Sequence, residues 1–439
     1  MTWLTAPGIV AGLLVLLVWT QRRQAVKSTS PRAAAAIAVA GVAILVACSL
    51  LPPTRMLSNS DQGDIKHYYG YAKLTLDGQV PYRDFTLEYP PGFLPVLLAP
   101  APADQGYYDR FRVLMLVFGA AAVVLLVVAL FLAGASAAEL AAGVLVLATL
   151  PLTLTPGLIF ERFDLWPAVL VLLAVVALLR ERRALSLVAL GVGAAAKLYP
   201  LVLVPLAVLT RRGRAHVRRD LAIVAATGLA LALPFALVAP RGVGHVGWLL
   251  VRRPLHIESL GGSILLAAHQ LGVYEPTIYI SVGASWDLAG PAARAVAIVG
   301  SLAEGAALIA VWVLFARGPR GPRELLLAVA AAVVAFATFG KVLSPQYLVW
   351  VAAAVPLALG RVRPFALVAT VAALLLTRYI YVDGYLDLLE AGRVSWVMLA
   401  RNLVLVALFC SLVLELAARG RVGPAISARP GRMGDSAPP

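Results

Sequence analysis

Long apolar runs separated by short polar breaks recur along the whole chain. A run of about 18 or more apolar residues can cross the roughly 30 Å hydrocarbon core of a bilayer as a helix. The pattern predicts spans over 2–20, 33–51, 111–134, 140–157, 165–179, 221–240, 295–316, 325–340, 347–360, 365–381 and 397–418, eleven in all. Two long polar stretches, 52–110 and 241–290, interrupt the series. The expectation is an all-α polytopic membrane protein, a transmembrane helix bundle with short helices in its outer loops.

The stretch 185–210 does not fit a simple count. It is flanked by "RERR" and by "RRGRAHVRRD". If both basic clusters lie on one side, the stretch crosses an even number of times, yet two full passes need about 20 residues each. A re-entrant hairpin with "KLYP" (197–200) at its tip resolves this. Pro200 supplies the break, because it lacks an N–H and disfavours helix in the residue before it. Broken backbone at membrane depth is tolerated only beside protein or a water-filled cavity. Lys197 is therefore expected to face a polar cavity. The competing reading is one long tilted helix with Lys197 snorkelling to the interface.

Composition supports a lipid solvent: 61% of the 439 residues are hydrophobic and 13% are charged, against about 25% charged in soluble domains. The net charge of +15 would suggest nucleic acid in a soluble chain. Here the arginines sit in short clusters between apolar runs, as the positive-inside rule requires of cytoplasmic loops, so no nucleic-acid partner is expected. No basic residue precedes the run 2–20 and "QRRQAVK" follows it, the reverse of a secretory signal peptide. The N-terminus is then outside, the loops 52–110 and 241–290 are outside, and the C-terminus is cytoplasmic. The chain divides into an extra N-terminal span with a basic cytoplasmic loop (1–32), a transmembrane domain (33–418) and a tail (419–439). The tail is rich in Gly, Pro, Ser and Arg and is expected to be disordered. Cys48 and Cys410 lie within apolar runs and imply no disulfide framework.

Polar residues collect at the outward ends of the spans. They are Asp61, Asp64, His67 and Glu88; Glu161, Arg162 and Asp164 in "ERFD"; Lys197; His256, Glu258 and Ser259; Lys341, Ser344 and Gln346; and Arg378 and Asp383. The inward loops hold arginine and little else, so chemistry is expected on the extracytoplasmic side. A carboxylate can act as general base on a hydroxyl. Lys and Arg can hold a phosphate and stabilise it as a leaving group. Together they suit a lipid-phosphate donor whose tail stays in the bilayer. Asp61, Asp64 and His67 could instead bind a divalent metal, although the expectation is a site without metal or cofactor. No phosphate-binding or dinucleotide glycine motif is present, and "GVGHVG" (242–247) reads as a flexible turn.

"DIKHY" (64–68), "LDGQVPY" ending at Tyr82 and "EYPPG" from Glu88 resemble the first outer loop of the GT-C glycosyltransferases of family 87. These include the polyprenyl-phosphate-mannose-dependent mannosyltransferases of actinobacterial envelopes. "RFD" (162–164), "KLYP" (197–200), "HIES" (256–259) and "KVLSPQYLVW" (341–350) resemble further segments of that family in the same order. The resemblance implies a GT-C bundle and an inverting transfer, most readily of mannose, from a polyprenyl-phosphate donor to a lipid or glycan acceptor at the outer face of the plasma membrane. It makes 33–418 the catalytic domain. The family's catalytic aspartate matches Asp64, with Tyr68 four residues on, and Asp61 is the second candidate. Some members carry a histidine just after the Ser-Pro of the late motif, where this chain has Gln346 and Tyr347.

On this reading Asp64 is the base, and Lys197, Lys341, Arg162 and Arg378 are candidate cations for the donor phosphate. His256, Glu258, Gln346 and Glu88 are candidates to address sugar or acceptor hydroxyls, and Tyr68, Tyr82, Tyr89 and Trp350 to stack on a sugar ring. Tyrosines at a membrane interface are common regardless of function. The rival class is a transporter or flippase of a lipid-linked or small polar substrate, which also uses re-entrant segments and intramembrane charge. No internal repeat between halves and no polar path through the bundle supports it.

Overall fold

A computed structural model describes residues 29–50, 64–101, 106–281 and 285–426, together with Gly12. The predicted first span, most of the 1–32 segment, Asp61 and the end of the tail lie outside the described residues.

Seven helices among the described residues are long and apolar enough to cross a membrane. Each falls on a predicted run. The first two are α1 (Pro31–Ser49) and, after the loop helix α2 (Asp64–Leu76), α3 (Tyr107–Leu132). Three more predicted spans appear as shorter apolar helices. The run 140–157 is cut at Pro151 and Pro156 into α4 (Ala137–Ala148) and two short pieces, because proline cannot donate the helical hydrogen bond. The run 165–179 is the fifteen-residue α5 (Leu165–Leu179). The 347–360 run, described below, is the third.

The hairpin of 185–210 closes on itself. α6 (Arg183–Ala196) ends at Lys197, whose backbone is extended. A tight turn over Tyr199–Leu203 and a short helix, Val204–Leu209, return the chain. Arg183 at the start donates to Thr210 at the end, 3.0 Å from Nη1 to Oγ1. The same guanidinium pairs with Asp220, with Nε 2.9 Å from Oδ1. Asp220 lies in the first turn of α7 (Val217–Val238). Both basic flanks therefore sit at one end of the bundle, which a single tilted helix would forbid.

The polar stretch 241–290 is structured. Its "GVGHVG" segment, expected as a flexible turn, is part of α8 (Pro240–Arg252). Glycines lower helix propensity without forbidding a helix, and neighbouring packing overrides the local preference. Strand β1 (Leu255–His256), helix α9 (Leu260–Gln270) and strands β2 (Thr277–Ser281) and β3 (Ser285–Ala289) follow. The small antiparallel sheet runs β1-β3-β2, with His256 opposite Asp287.

The remaining helices are α10 (Pro291–Arg317), α11 (Pro322–Phe339), α12 (Tyr347–Ala354), α13 (Arg363–Tyr379) and α14 (Val394–Ile426). α14 continues beyond residue 418 into the segment read as tail. α11 is the central helix, with nearly every side chain from Leu325 to Ala335 buried.

The arginine loops meet at one end of the bundle. Arg320 bonds the Arg211 carbonyl at 3.2 Å, Arg323 the Gly134 carbonyl at 2.8 Å, Arg363 the Glu139 carbonyl, and Arg419 pairs with Glu324 at 3.2 Å. The Arg320 and Arg323 contacts give cations to carbonyls just past helix C-termini, which also suits the helix dipole. The acid-bearing turns lie at the other end.

Candidate active site

The turn "RFD" between a short helix, Pro156–Phe160, and α5 organises the site. Arg162 and Asp164 carry opposite charges two residues apart and reach in different directions. Arg162 pairs with Asp64, the first residue of α2. Asp164 accepts from Lys197 at the hairpin tip, 2.6 Å from Nζ to Oδ1. One turn thus ties the first loop to the hairpin through two ion pairs. Lys197 also lies over the rings of Phe163 (4.6 Å), Trp350 (5.1 Å) and Tyr347 (5.6 Å), which favours the cation.

"EYPPG" anchors the same place by close approach. A Cβ on Gly92 would sit 2.5 Å from the Ala195 backbone at the end of α6, so only glycine lets the loop lie there. Trp166 donates to the Gly92 carbonyl at 3.3 Å. The "KLYP" and "SPQYLVW" segments interlock: Trp350 stacks on Tyr199 and on Tyr347, each at 4.0 Å between ring centres. With both partners in place, Trp350 has no free ring face for a sugar.

These elements surround a cavity of about 380 Å³. Of the residues singled out from sequence, Asp64, Glu88, Tyr89, Arg162, Lys197, His256, Glu258, Lys341, Ser344, Gln346 and Trp350 line it. Tyr68, Tyr82 and Arg378 do not. Tyr68 is 1% exposed and packs between Phe93, Phe111 and Phe163, with its ring 5.0 Å from Phe93. It lies one turn beyond Asp64 on the same face of α2, covered by these rings, while Asp64 at the helix start lines the cavity. Tyr82 donates its hydroxyl to the Tyr89 carbonyl at 2.7 Å, and Arg378 donates to the Leu154 carbonyl at 3.0 Å. Both hold backbone. Asp61 and the proposed Asp61/Asp64/His67 triad lie partly outside the described residues. Among those residues no group of three His, Cys, Asp or Glu is placed to hold a metal ion.

The structure adds Arg253, Ser285, Trp286, Glu304, Tyr381 and Tyr385 to the lining. Among the described residues, neither Arg253 Nε nor Gln346 Oε1, both buried, has a partner. Lys341 donates to the Val251 carbonyl at 2.6 Å. Burial pulls its ammonium below the usual lysine range, against the opposing charge of Glu304. Tyr381 lies on a widened π-type turn over Ile380–Gly384, a distortion that often re-aims side chains at functional sites.

His256 and Glu258 are held by neighbours rather than by solvent. The His256 backbone N–H donates to the Lys341 carbonyl at 3.0 Å, and its Nδ1 accepts the Glu258 N–H at 3.3 Å. Burial, helped by Arg253, drops the imidazole to about 3, so it is neutral at physiological pH. The Glu258 carboxyl accepts from Tyr381 through Oε1, while the buried Oε2 has no partner among the described residues. Its backbone carbonyl receives Arg401 at 2.8 Å and Asn402 at 3.2 Å.

Burial pushes Glu258 from 4.5 up to about 7, against the charge of Arg401 and the Tyr381 bond. Between those two pH values the unfolded chain has released its proton and the fold retains it. Stability therefore falls as pH rises from 4.5 to about 7, and the contribution is fully lost above that. The thermal midpoint of solubilised protein should fall across this window. Glu258→Gln, which keeps the neutral form's shape, should flatten the fall. An identical pH dependence in the variant would remove Glu258 as its source.

Residues 85–345, more than half of the chain, match the model of glycosyltransferase family 87. The match includes "RFD", "KLYP", "HIES" and Lys341, and begins downstream of Asp64. No curated protein matches the chain. With a helical bundle and an acid- and cation-lined cavity formed largely by the matched stretch, the chain belongs to glycosyltransferase family 87.

Proposed function

We propose that this glycosyltransferase moves a sugar, mannose before others, from a polyprenyl-phosphate donor to a hydroxyl of a lipid or glycan acceptor at the outer face of the plasma membrane. The observation that carries the reading is the meeting of Asp64 with Arg162, Lys197, Arg253 and Lys341 around one cavity, at the end of the bundle away from the arginine loops. The positive-inside rule makes that end extracytoplasmic. A donor whose prenyl chain stays in the bilayer can present its phosphate there. The resemblance to polyprenyl-phosphate-mannose enzymes supports donor and sugar.

Asp64 takes the acceptor's proton as that oxygen bonds the anomeric carbon. The bond from that carbon to the donor phosphate oxygen breaks, and its electron pair leaves on the phosphate. One base opposite the leaving group suffices for inversion. Arg162 orients the Asp64 carboxylate. Arg253, Lys341 and Lys197 stabilise the phosphate as its charge grows. Gln346, Glu258 and Glu88 address hydroxyls, and neutral His256 holds the Glu258 turn. A flippase would need polar groups along a path through the bundle, whereas these gather at one end.

Membranes with and without the chain, supplied with a panel of radiolabelled polyprenyl-phosphate sugars, test the reading. A new glycosidic product from the mannose donor is expected. Product from nucleotide sugars alone, or lipid movement across liposomes with no new glycosidic bond, would overturn it.

A further inference from the structure

The Glu258 carboxyl lines the catalytic cavity with little support for a negative charge. The residue is 1% exposed. Tyr381 donates to Oε1, and the buried Oε2 has no partner among the described residues. Arg401 of α14 donates to the Glu258 backbone carbonyl at 2.8 Å and lies 2.7 Å from Met398 Sδ, so its hydrogen bonds go to backbone and thioether. A buried carboxylate needs several donors, whereas one donor on one oxygen suits the neutral acid. With Oε1 accepting, Oε2 is the oxygen left to carry the proton.

The turn that carries this acid is tied to the cations assigned to the phosphate. The His256 N–H bonds the Lys341 carbonyl at 3.0 Å, and Arg253 lies just before β1. Asp64 enters from a different wall, at the start of α2. A volume of about 380 Å³ is at the small end for a ligand pocket. A sugar phosphate that reaches Asp64 therefore also meets the Glu258 turn. A polyprenyl-phosphate sugar is a phosphodiester with one negative charge. Cleaved without a proton it leaves as a monoester dianion, although such a phosphate binds a second proton with a pKa of about 6. Two charges on one group at membrane depth are costly.

We propose that Glu258 is the general acid of the transfer. As the bond from the anomeric carbon to the phosphate oxygen breaks, Oε2 gives its proton to that oxygen, while Asp64 takes the acceptor's proton. The phosphate leaves with the single charge it brought. Asp64 is then neutral and Glu258 charged, and a proton passing from Asp64 to Glu258 through water as product departs restores both. Tyr381 is a positioning residue that holds Oε1. This rests on the phosphate donor proposed above and gives Glu258 a step beyond contacts to hydroxyls. The groups that face the carboxyl are Arg401 from α14, Arg162 from the "RFD" turn, and Tyr381 and Tyr385 from the π-type turn and the residue after it. Burial outweighs them and keeps the proton on Glu258 up to about pH 7.

The test follows transfer of radiolabelled mannose from polyprenyl-phosphate mannose in membranes carrying the full chain, across a pH series that spans neutrality. Wild-type kcat/KM should fall as pH rises through about 7, where the free enzyme's acid loses its proton. Glu258→Gln should lower kcat about 10²-fold or more and lose that fall. Tyr381→Phe removes a bond that favours the charged carboxylate, so the fall should move to higher pH while the rate stays well above that of Glu258→Gln. It serves if Glu258→Gln is not recovered. A near-wild-type rate in Glu258→Gln, a slow Glu258→Gln that keeps the fall, or an unmoved fall in Tyr381→Phe overturns the proposal. Infrared difference spectra of the purified chain read the proton without turnover. The stretch of a protonated carboxyl should be present below pH 7, fade above it, and be missing from Glu258→Gln. Its absence from the wild type also overturns the proposal. With that band present and no transfer from any polyprenyl-phosphate sugar, the functional reading falls and the placement of the proton stands. With transfer present and the band absent, the reverse holds.

Discussion

Asp64→Asn should lower kcat by about 10²- to 10⁴-fold, the usual worth of a positioned general base, with donor KM held within about twofold of wild type. The side chains are nearly isosteric, and the amide oxygen can still accept from Arg162, so the link between α2 and the "RFD" turn persists. What is lost is the capacity to take a proton as the acceptor oxygen attacks. The measurement is in-membrane sugar transfer at matched protein level, with thermal midpoints to show that the loop stays docked. Asp61→Asn in parallel separates the two aspartates. A near-wild-type rate for Asp64→Asn with a collapse for Asp61→Asn would move the base three positions earlier in the sequence. Near-wild-type rates in both would remove the first loop from proton transfer.

The architecture was legible where one-dimensional signals decide it. Apolar run length located the seven long helices. The paired basic flanks of 185–210 required the hairpin that Arg183 and Thr210 close. The cavity was legible in outline for a similar reason: at the outward ends of apolar runs, costly polar residues have a shared destination. Who pairs with whom was not legible. Arg162 was expected on the donor phosphate, yet its partner is Asp64, 98 positions away in sequence. No local pattern encodes a contact of that range. Tyr68 looked like a ring for sugar stacking, but burial against three phenylalanines depends on how four segments pack. Glu304 and Arg401 lie within predicted spans and were not singled out. Their rarity in apolar surroundings was a usable signal, because an ionisable residue inside a membrane helix seeks a partner or a cavity. Arg253 was hidden differently, as the second of two loop arginines whose only distinction is the direction it faces.

Lys197→Met should disable both the fold and the reaction, and a second substitution should separate these losses. Lys197 and Asp164 are a buried pair, with side chains 14% and 2% exposed. Removing the ammonium leaves a carboxylate whose Oδ2 already has no partner among the described residues. Breaking one half of such a pair costs about 3–5 kcal/mol, a large share of the stability of any domain. The single variant should therefore show a depressed thermal midpoint and poor yield along with lost transfer. In Lys197→Met/Asp164→Asn the orphaned charge is gone, the methionine can occupy the lysine's place among Phe163, Trp350 and Tyr347, and the midpoint should recover most of its value. If Lys197 also faces the donor phosphate, transfer should stay depressed by about 10²-fold or more, since a cation acting on developing charge is worth that much. Recovery of transfer together with stability would make Lys197 a structural tie of the hairpin tip alone and leave the leaving group to Lys341 and Arg253. Recovery of stability alone means that the "RFD" turn spends Asp164 to keep a phosphate-binding lysine charged at membrane depth.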